Sequence, residues 1–478
     1  MGKEVSSSRY QKRDFAAFES RLREETELLA AYFAGGRLSA RQAVGGFELE
    51  SWLIDAGGRA APVNAAFLAA LDDPLVVPEL ARFNVEINGR ARPLTGDMLG
   101  AMHAALVDTW ARCNATAAPL GAGLLMIGIL PTATEQDFTL DHMSDMTRYR
   151  ALNEQILRLR AGRPLTLDIQ GRQRLRTFHG DVMLEAAATS FQIHLQVAPE
   201  AAVRFYNAAL ILSAPMVAVS ANSPYLFGRD LWDETRIPLF EQAVSVCAPG
   251  EAACGAGRVT FGHRYLQDSL LECFQENLHD YRILLPELFD APPGRFEHLR
   301  MHNGTIWRWN RPLIGLDDDG VAHLRIEHRV VPAGPSLIDT VANAALYYGL
   351  VHALAGAQPA PETRLGFAEA KANFYAAARD GLRANLTWLD GRPAPVRGLL
   401  ADVLLPQAAA GLTALGIDAG DIDRYLGVIA ARVKRGRNGA AWQRAFVEKH
   451  GPDMARLTRS YNARQREGAP VHEWGMEC

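Results

Sequence analysis

Four stretches of the chain alternate apolar and polar residues with the period of two that marks a β-strand. Around residues 83–88, Phe83, Val85 and Ile87 fall on one side and Asn84, Glu86 and Asn88 on the other. Phe191, Ile193, Leu195 and Val197 oppose Ser190, Gln192, His194 and Gln196. Leu324, Ile326 and Val330 oppose His323, Arg325, Glu327 and Arg329, with His328 an exception on the apolar side. Phe47, Leu49 and Leu53 oppose Glu48, Glu50 and Trp52. Residues two apart share a face, so Glu48 and Glu50 stand side by side. Helical spacing takes over elsewhere. Phe15, Phe18, Leu22, Leu28 and Leu29 predict a helix over residues 14–34, ended by Gly35 and Gly36. Residues 201–221 are apolar but interrupted by Arg204, Asn207 and Pro215, which reads as a buried helix running into a turn.

Taken together, the pattern predicts an α+β chain with a mainly antiparallel sheet flanked by helices. An N-terminal helix occupies residues 1–40, a mixed domain of catalytic size 41–355, and an Ala- and Leu-rich helical region 361–464, packing on that domain. The Pro-rich run at 355–364 is the boundary. Bulk composition agrees: 478 residues with 48% hydrophobic and 22% charged content can bury a large core. A formal net charge of −4 and the lack of a long basic run argue against a nucleic-acid partner. With residues 201–221 read as a buried helix, no segment reads as transmembrane. Cys113, Cys247, Cys254, Cys273 and Cys478 show no CxxC spacing, so neither a disulfide framework nor a zinc ribbon is indicated, and a cytoplasmic location is expected.

The composition of the polar strand faces is what points to chemistry. Such a face can simply meet water, but solvated faces favour Thr, Lys, Arg and Ser, whereas these gather Glu48, Glu50, Glu86 and Glu327 with Gln192, His194 and Arg329. Two carboxylates about 5 Å apart repel by roughly 3 kcal/mol at an effective dielectric of 20. A bound cation is the economical remedy. Oxygen-rich ligands with one imidazole and no thiolate suit Mg²⁺ or Mn²⁺ better than zinc, and magnesium held by carboxylates usually accompanies phosphates, which points to ATP. The familiar nucleotide loops are missing: there is no GxxxxGK[ST], and the glycines around Gly121 fail the GxGxxG spacing. The His323 to His328 segment has one residue too many for an HxxEH zinc site and alternates like a strand. No GxSxG supports a serine hydrolase.

The motifs GFELESWLID, FNVEINGRARPL, TSFQIHLQV, ANSPYLFGRDLWDETRIPLFEQ, HNGTIWRWNRPLIG and LRIEHRVVPAGPSLIDTVANAALYYGL occur in order over about residues 40–450. Together they resemble the glutamate-cysteine ligase family 2, the carboxylate-amine ligases. The resemblance implies a catalytic core of the glutamine-synthetase type, a curved antiparallel sheet whose concave face holds ATP, Mg²⁺ and glutamate. It implies phosphorylation of the glutamate side-chain carboxylate, followed by attack of an amine on the acyl phosphate. Glu48, Glu50, Glu86 and Glu327 would be the metal ligands, with Glu79, seven residues before Glu86, a fifth.

By the same resemblance His194 sits near nucleotide and metal, its alternative being a core histidine satisfied by hydrogen bonds. Arg329 would meet the charge developing on the acyl phosphate, or else pair with a glutamate. Arg236, Arg308 and Arg311 are candidates for the α-carboxylate of glutamate, since guanidinium grips carboxylate bidentately, although Arg236 has Asp233 and Glu234 nearby for an ion pair. Arg148 and Tyr149 fall on the substrate side, and Trp307 and Trp309 read as core. The amine is open: the family name suggests cysteine, but no residue here reads a thiol. A related ligase for another amine or acid, and a non-catalytic nucleotide- or amino-acid-binding protein, are the alternatives. The N-terminal helix and the C-terminal region could serve the amine pocket, the interface of a homo-oligomer, or neither.

Overall fold

The alternating stretches pair edge to edge in the computed structural model, which describes residues 3–41, 43–246 and 257–477. Strands β1 (Val44–Asp55), β2 (Val76–Pro78), β3 (Asn84–Asn88), β4 (Arg92–Pro93), β5 (Ala122–Leu125), β6 (Phe191–Val197), β7 (Asn310–Leu316) and β8 (Ala322–His328) form one sheet. Its order is β7-β8-β6-β1-β3-β2, with β4 and β5 also on β1, and every pairing is antiparallel. The sheet curls into a half-barrel. The twelve residues of β1 make it the spine: β6 pairs with Gly45 to Leu49 and β5 with Trp52 to Asp55 along one edge, while β3 takes the other. Register sets Glu50 directly opposite Glu86, and Glu327 between His194 and Arg311. The predicted α+β class and antiparallel sheet are therefore what the chain adopts.

The apolar sides behave as the pattern requires. Leu49, Val85, Ile87, Ile193, Leu195, Leu324 and Ile326 are buried in one large core. Helices α1 (Lys12–Ala34), α2 (Thr147–Leu159), α3 (Ala202–Ser220), α4 (Glu297–Asn303), α5 (Leu337–Gly356), α6 (Leu405–Ala414) and α7 (Ala419–Arg435) surround it. Helices α3 and α5 pack together against the sheet. The apolar stretch 201–221 is the buried helix expected: α3 runs through Pro215 to Ser220, because burial of nearly every residue outweighs one lost backbone bond. The exception His328 is explained by its partners, since its Nδ1 lies 2.7 Å from Asn310 Oδ1 and its ring stacks on Tyr347 at 4.3 Å.

The helices of residues 361–464 join this core closely. Helix α6 meets α5 backbone to backbone at two glycines: a Cβ on Gly411 would lie 2.0 Å from the Gly349 carbonyl oxygen. Arg432 of α7 is fully buried, donating to Asp339 at 2.8 Å and Asn343 at 2.7 Å on α5. At the other end, Glu25 of α1 takes His298 Nδ1 at 2.7 Å and accepts from the Leu299 amide at 2.8 Å, which fixes α4. Cys113 and Cys273 are free and buried, whereas Cys247, Cys254 and Cys478 lie outside the described residues.

Candidate active site

The polar face of the sheet lines a pocket of about 200 Å³, walled on one side by α2 and on the other by α4 and β7. Glu48, Glu50, Glu79, Glu86, Gln192, Arg311, Arg325, Glu327 and Arg329 all contribute to it. Two ligand clusters arise from the register. Glu48, His194 and Glu327 bring donor atoms within 4.8 Å of one another, and so do Glu50, Glu79 and Glu86. The first combines β1, β6 and β8; the second combines β1, β3 and the loop before β3.

Each cluster is held by contacts that leave oxygens facing inward. Glu50 accepts from the Ser190 amide at 2.6 Å and from Gln192 Nε2 at 2.7 Å. Asn88 donates to Glu86 at 2.9 Å. Arg311 grips Glu327 bidentately, at 2.7 and 3.0 Å, and Arg329 approaches the same carboxylate at 3.1 Å while donating to Gln192. Burial pushes Glu327 up, yet Arg311 and Arg329 outweigh it and keep that carboxyl well below the usual range. In the second cluster no cation reaches ion-pair distance among the described residues, and burial outweighs the pull of Arg329 and Arg236 on Glu50, whose carboxyl stays above its ordinary value. Burial first, then Glu48, pushes Glu86 up to about 7, and burial with Glu86 and Glu50 raises Glu79 well above its ordinary value.

His194 lies between two carboxylates of the first cluster. Its Nε2 lies 3.4 Å from Glu48 and 3.7 Å from Glu327, but neither ring nitrogen has a hydrogen-bond partner among the described residues. Burial pushes the imidazole down to about 4, so it is neutral at physiological pH. A neutral imidazole with orphaned nitrogens beside two carboxylates is not a satisfied core histidine. It has the protonation state and surroundings of a metal ligand, and two such clusters fit hard cations bound mainly by oxygen.

Two of the arginines expected at the substrate are elsewhere. Arg308 is buried against Glu276 at 2.9 Å and Asn277, with its guanidinium over Tyr281, while the pocket is lined by its neighbour Trp307. Arg236 donates to Glu234 at 3.2 Å and to the Arg329 and Val330 carbonyls at 3.2 and 2.6 Å. It braces the strand end that carries Arg329 and does not line the pocket. Arg311 lines the pocket but spends its fork on Glu327. Arg148 and Tyr149, at the start of α2, do line the pocket, with the guanidinium 4.9 Å over the ring. Glu185, which sequence reasoning passed over, lies on a 3₁₀ turn and enters the same wall, its carboxyl pushed up to about 7 by burial and then by Glu50. Arg325 is on the pocket face where alternation put it, and no carboxylate reaches ion-pair distance of it among the described residues.

Residues 44–460 match the glutamate-cysteine ligase family 2. The chain belongs to that family. It is accordingly an ATP-dependent ligase of the carboxylate-amine type. Among solved structures, it is similar to the glutamate-cysteine ligase of Francisella tularensis, crystallised with AMP, at 11% identity and a TM-score of 0.56, covering 92% of this chain and 91% of that one. A bifunctional glutathione synthetase from Pasteurella multocida is similar at 11% identity and a TM-score of 0.48, covering 95% of this chain and 55% of that one. At such identities the first likeness speaks for the fold alone. No curated protein sequence matches the chain.

Proposed function

We propose that this ligase activates the γ-carboxylate of glutamate as an acyl phosphate and joins it to an amine, cysteine being the first candidate, to give γ-glutamylcysteine. The observation that carries the proposal is the pair of three-ligand clusters on one concave face, with Arg329 between them. Glu48, His194 and Glu327 would hold one Mg²⁺, and Glu50, Glu79 and Glu86 another, with Mn²⁺ a possible substitute. When bound, the ions neutralise charge on the phosphoryl group in transfer.

In the first step a γ-carboxylate oxygen of glutamate attacks the terminal phosphorus of ATP and ADP leaves. In the second the amine nitrogen attacks the acyl carbon, loses a proton, and expels inorganic phosphate. Arg329 is held by Glu327 and Gln192 at the pocket wall, where a fixed cation stabilises negative charge as it develops. Arg311 keeps Glu327 ionised and oriented. Arg148 and Tyr149 supply a cation and an aromatic face on the substrate side.

The test is phosphate release from ATP with Mg²⁺ and glutamate, with and without cysteine, then with other amines, with product masses measured. Turnover that requires both amino acids and yields γ-glutamylcysteine is the expected result. Turnover with a different amine would keep the chemistry and replace the acceptor. Absence of turnover with any pair, in protein that binds ATP, would overturn the proposal.

A further inference from the structure

Residues 3–10 run ahead of α1 as an irregular strap, and its first residue, Lys3, lines the pocket. Its two ends of contact are on opposite walls. Glu4 accepts from the Arg148 amide at the start of α2 at 2.8 Å, while Lys3 reaches Glu297 of α4 at 2.8 Å. Val5 between these anchors and α1 is buried in the core. Lys3 and Glu297 both line the pocket that holds the two carboxylate clusters.

The Lys3 ammonium is seated in a cradle that suits any primary ammonium. Glu297 is 7% exposed, its Oε2 also lies 4.0 Å from Arg300, and the Phe289 ring lies 4.9 Å from Lys3 Nζ on its face. A carboxylate with an aromatic face recognises an alkylammonium by charge and by the ring quadrupole. Lys3 itself is 53% exposed and hangs on a short strap, which makes it an occupant that can leave. The volume supports departure. A pocket of about 200 Å³ with Lys3 in its wall is smaller than the roughly 300–1,000 Å³ of ordinary ligand pockets.

We propose that Glu297, with Phe289, is the subsite for the primary ammonium of an amino-acid substrate, and that Lys3 fills it as an internal occupant until substrate displaces it. The inference rests on the pocket being the active site. The ammonium can come from glutamate or from the acceptor amine, and the experiment separates them.

Binding of glutamate and of cysteine is measured by calorimetry in the presence of Mg²⁺ and ADP, so that turnover is not needed. Glutarate and 3-mercaptopropionate, which lack the ammonium, are the paired controls. Lys3→Met should tighten one of the two amino acids about three- to fivefold, since the competing occupant is gone, and leave its control unchanged. Lys3→Arg, which keeps the cation, should bind like the parent. Glu297→Gln should weaken the same amino acid tenfold or more, with circular dichroism showing that the variant is folded. Equal affinities in parent, Lys3→Met and Glu297→Gln overturn the subsite, and so does an equal change for the amino acid and its control. If the parent turns over no substrate pair, the proposed reaction fails on its own, while the affinities still decide the subsite.

Discussion

Replacing Glu50 with Gln separates what the second cluster does for the fold from what it does for catalysis. Glu50, Glu79 and Glu86 bring oxygens within 4.8 Å of one another, so each ionised pair repels by about 3 kcal/mol at an effective dielectric of 20. Glu50 takes part in two of the three pairs. The Gln variant removes both, keeps an acceptor for Gln192, and loses one hydrogen bond to the Ser190 amide, a penalty of about 1–3 kcal/mol. It also forfeits the attraction of Arg329 and Arg236, but burial outweighs these and holds the Glu50 carboxyl above its ordinary value, so the balance favours the variant when its neighbours are ionised. In EDTA at pH 8.5, above the value of about 7 at Glu86, Glu50→Gln should melt a few degrees higher than the parent. Mg²⁺ should raise the melting temperature of the parent and do little for the variant, and phosphate release from ATP should be lost. Thermal melts with EDTA or Mg²⁺, run beside the turnover assay, read all three. A variant that melts lower in EDTA, or that retains turnover, would refute the reasoning that this cluster is a strained set of carboxylates awaiting a cation.

The opposite sign is expected two strands away. Glu327→Gln leaves Arg311 and Arg329 without their shared carboxylate and should destabilise the fold by about 3–5 kcal/mol as well as abolishing turnover, measured by denaturant unfolding and phosphate release. Arg308→Ala should cost about 2–3 kcal/mol of stability through its lost bonds to Glu276 and Asn277 but leave the KM for glutamate within twofold of the parent. Glu86 and Glu185, both pushed from 4.5 up to about 7 by burial, hold more protons folded than unfolded across that interval. Their stabilisation is full below about pH 4.5 and lost as pH rises through 7, so melting in EDTA should fall from pH 5 to pH 8 and flatten when Mg²⁺ is added.

What could be seen in the sequence follows from how each residue reaches the site. Glu48, Glu50, Glu86, His194, Glu327 and Arg329 belong to strands or to the residue just after one, where a period of two states the face outright. The register then had only to bring the faces together. Arg308 shows where that argument fails. It sits on a two-residue strand, Trp307–Arg308, paired with Val259 and Thr260 and outside the main sheet, so no run of alternation says which of the two neighbours turns inward. Trp307 does, and Arg308 goes to Glu276. Arg236 takes the ion pair that the sequence left open as its other role: Glu234, two residues earlier, supplies a partner beside the Arg329 and Val330 carbonyls. Glu185 comes from a 3₁₀ turn and Glu297 from a seven-residue helix, elements too short to carry a period. Lys3 belongs to no regular element. The acidic face was thus legible because a sheet repeats, whereas the walls of the pocket are single contacts between distant parts of the chain. That division has a physical consequence: the ligand clusters are fixed by the backbone register of four strands and one loop, while the groups proposed to choose the substrate ride on short helices, turns and a strap. These can change without disturbing the sheet, so the identity of the amine is the property of this ligase that its fold constrains least.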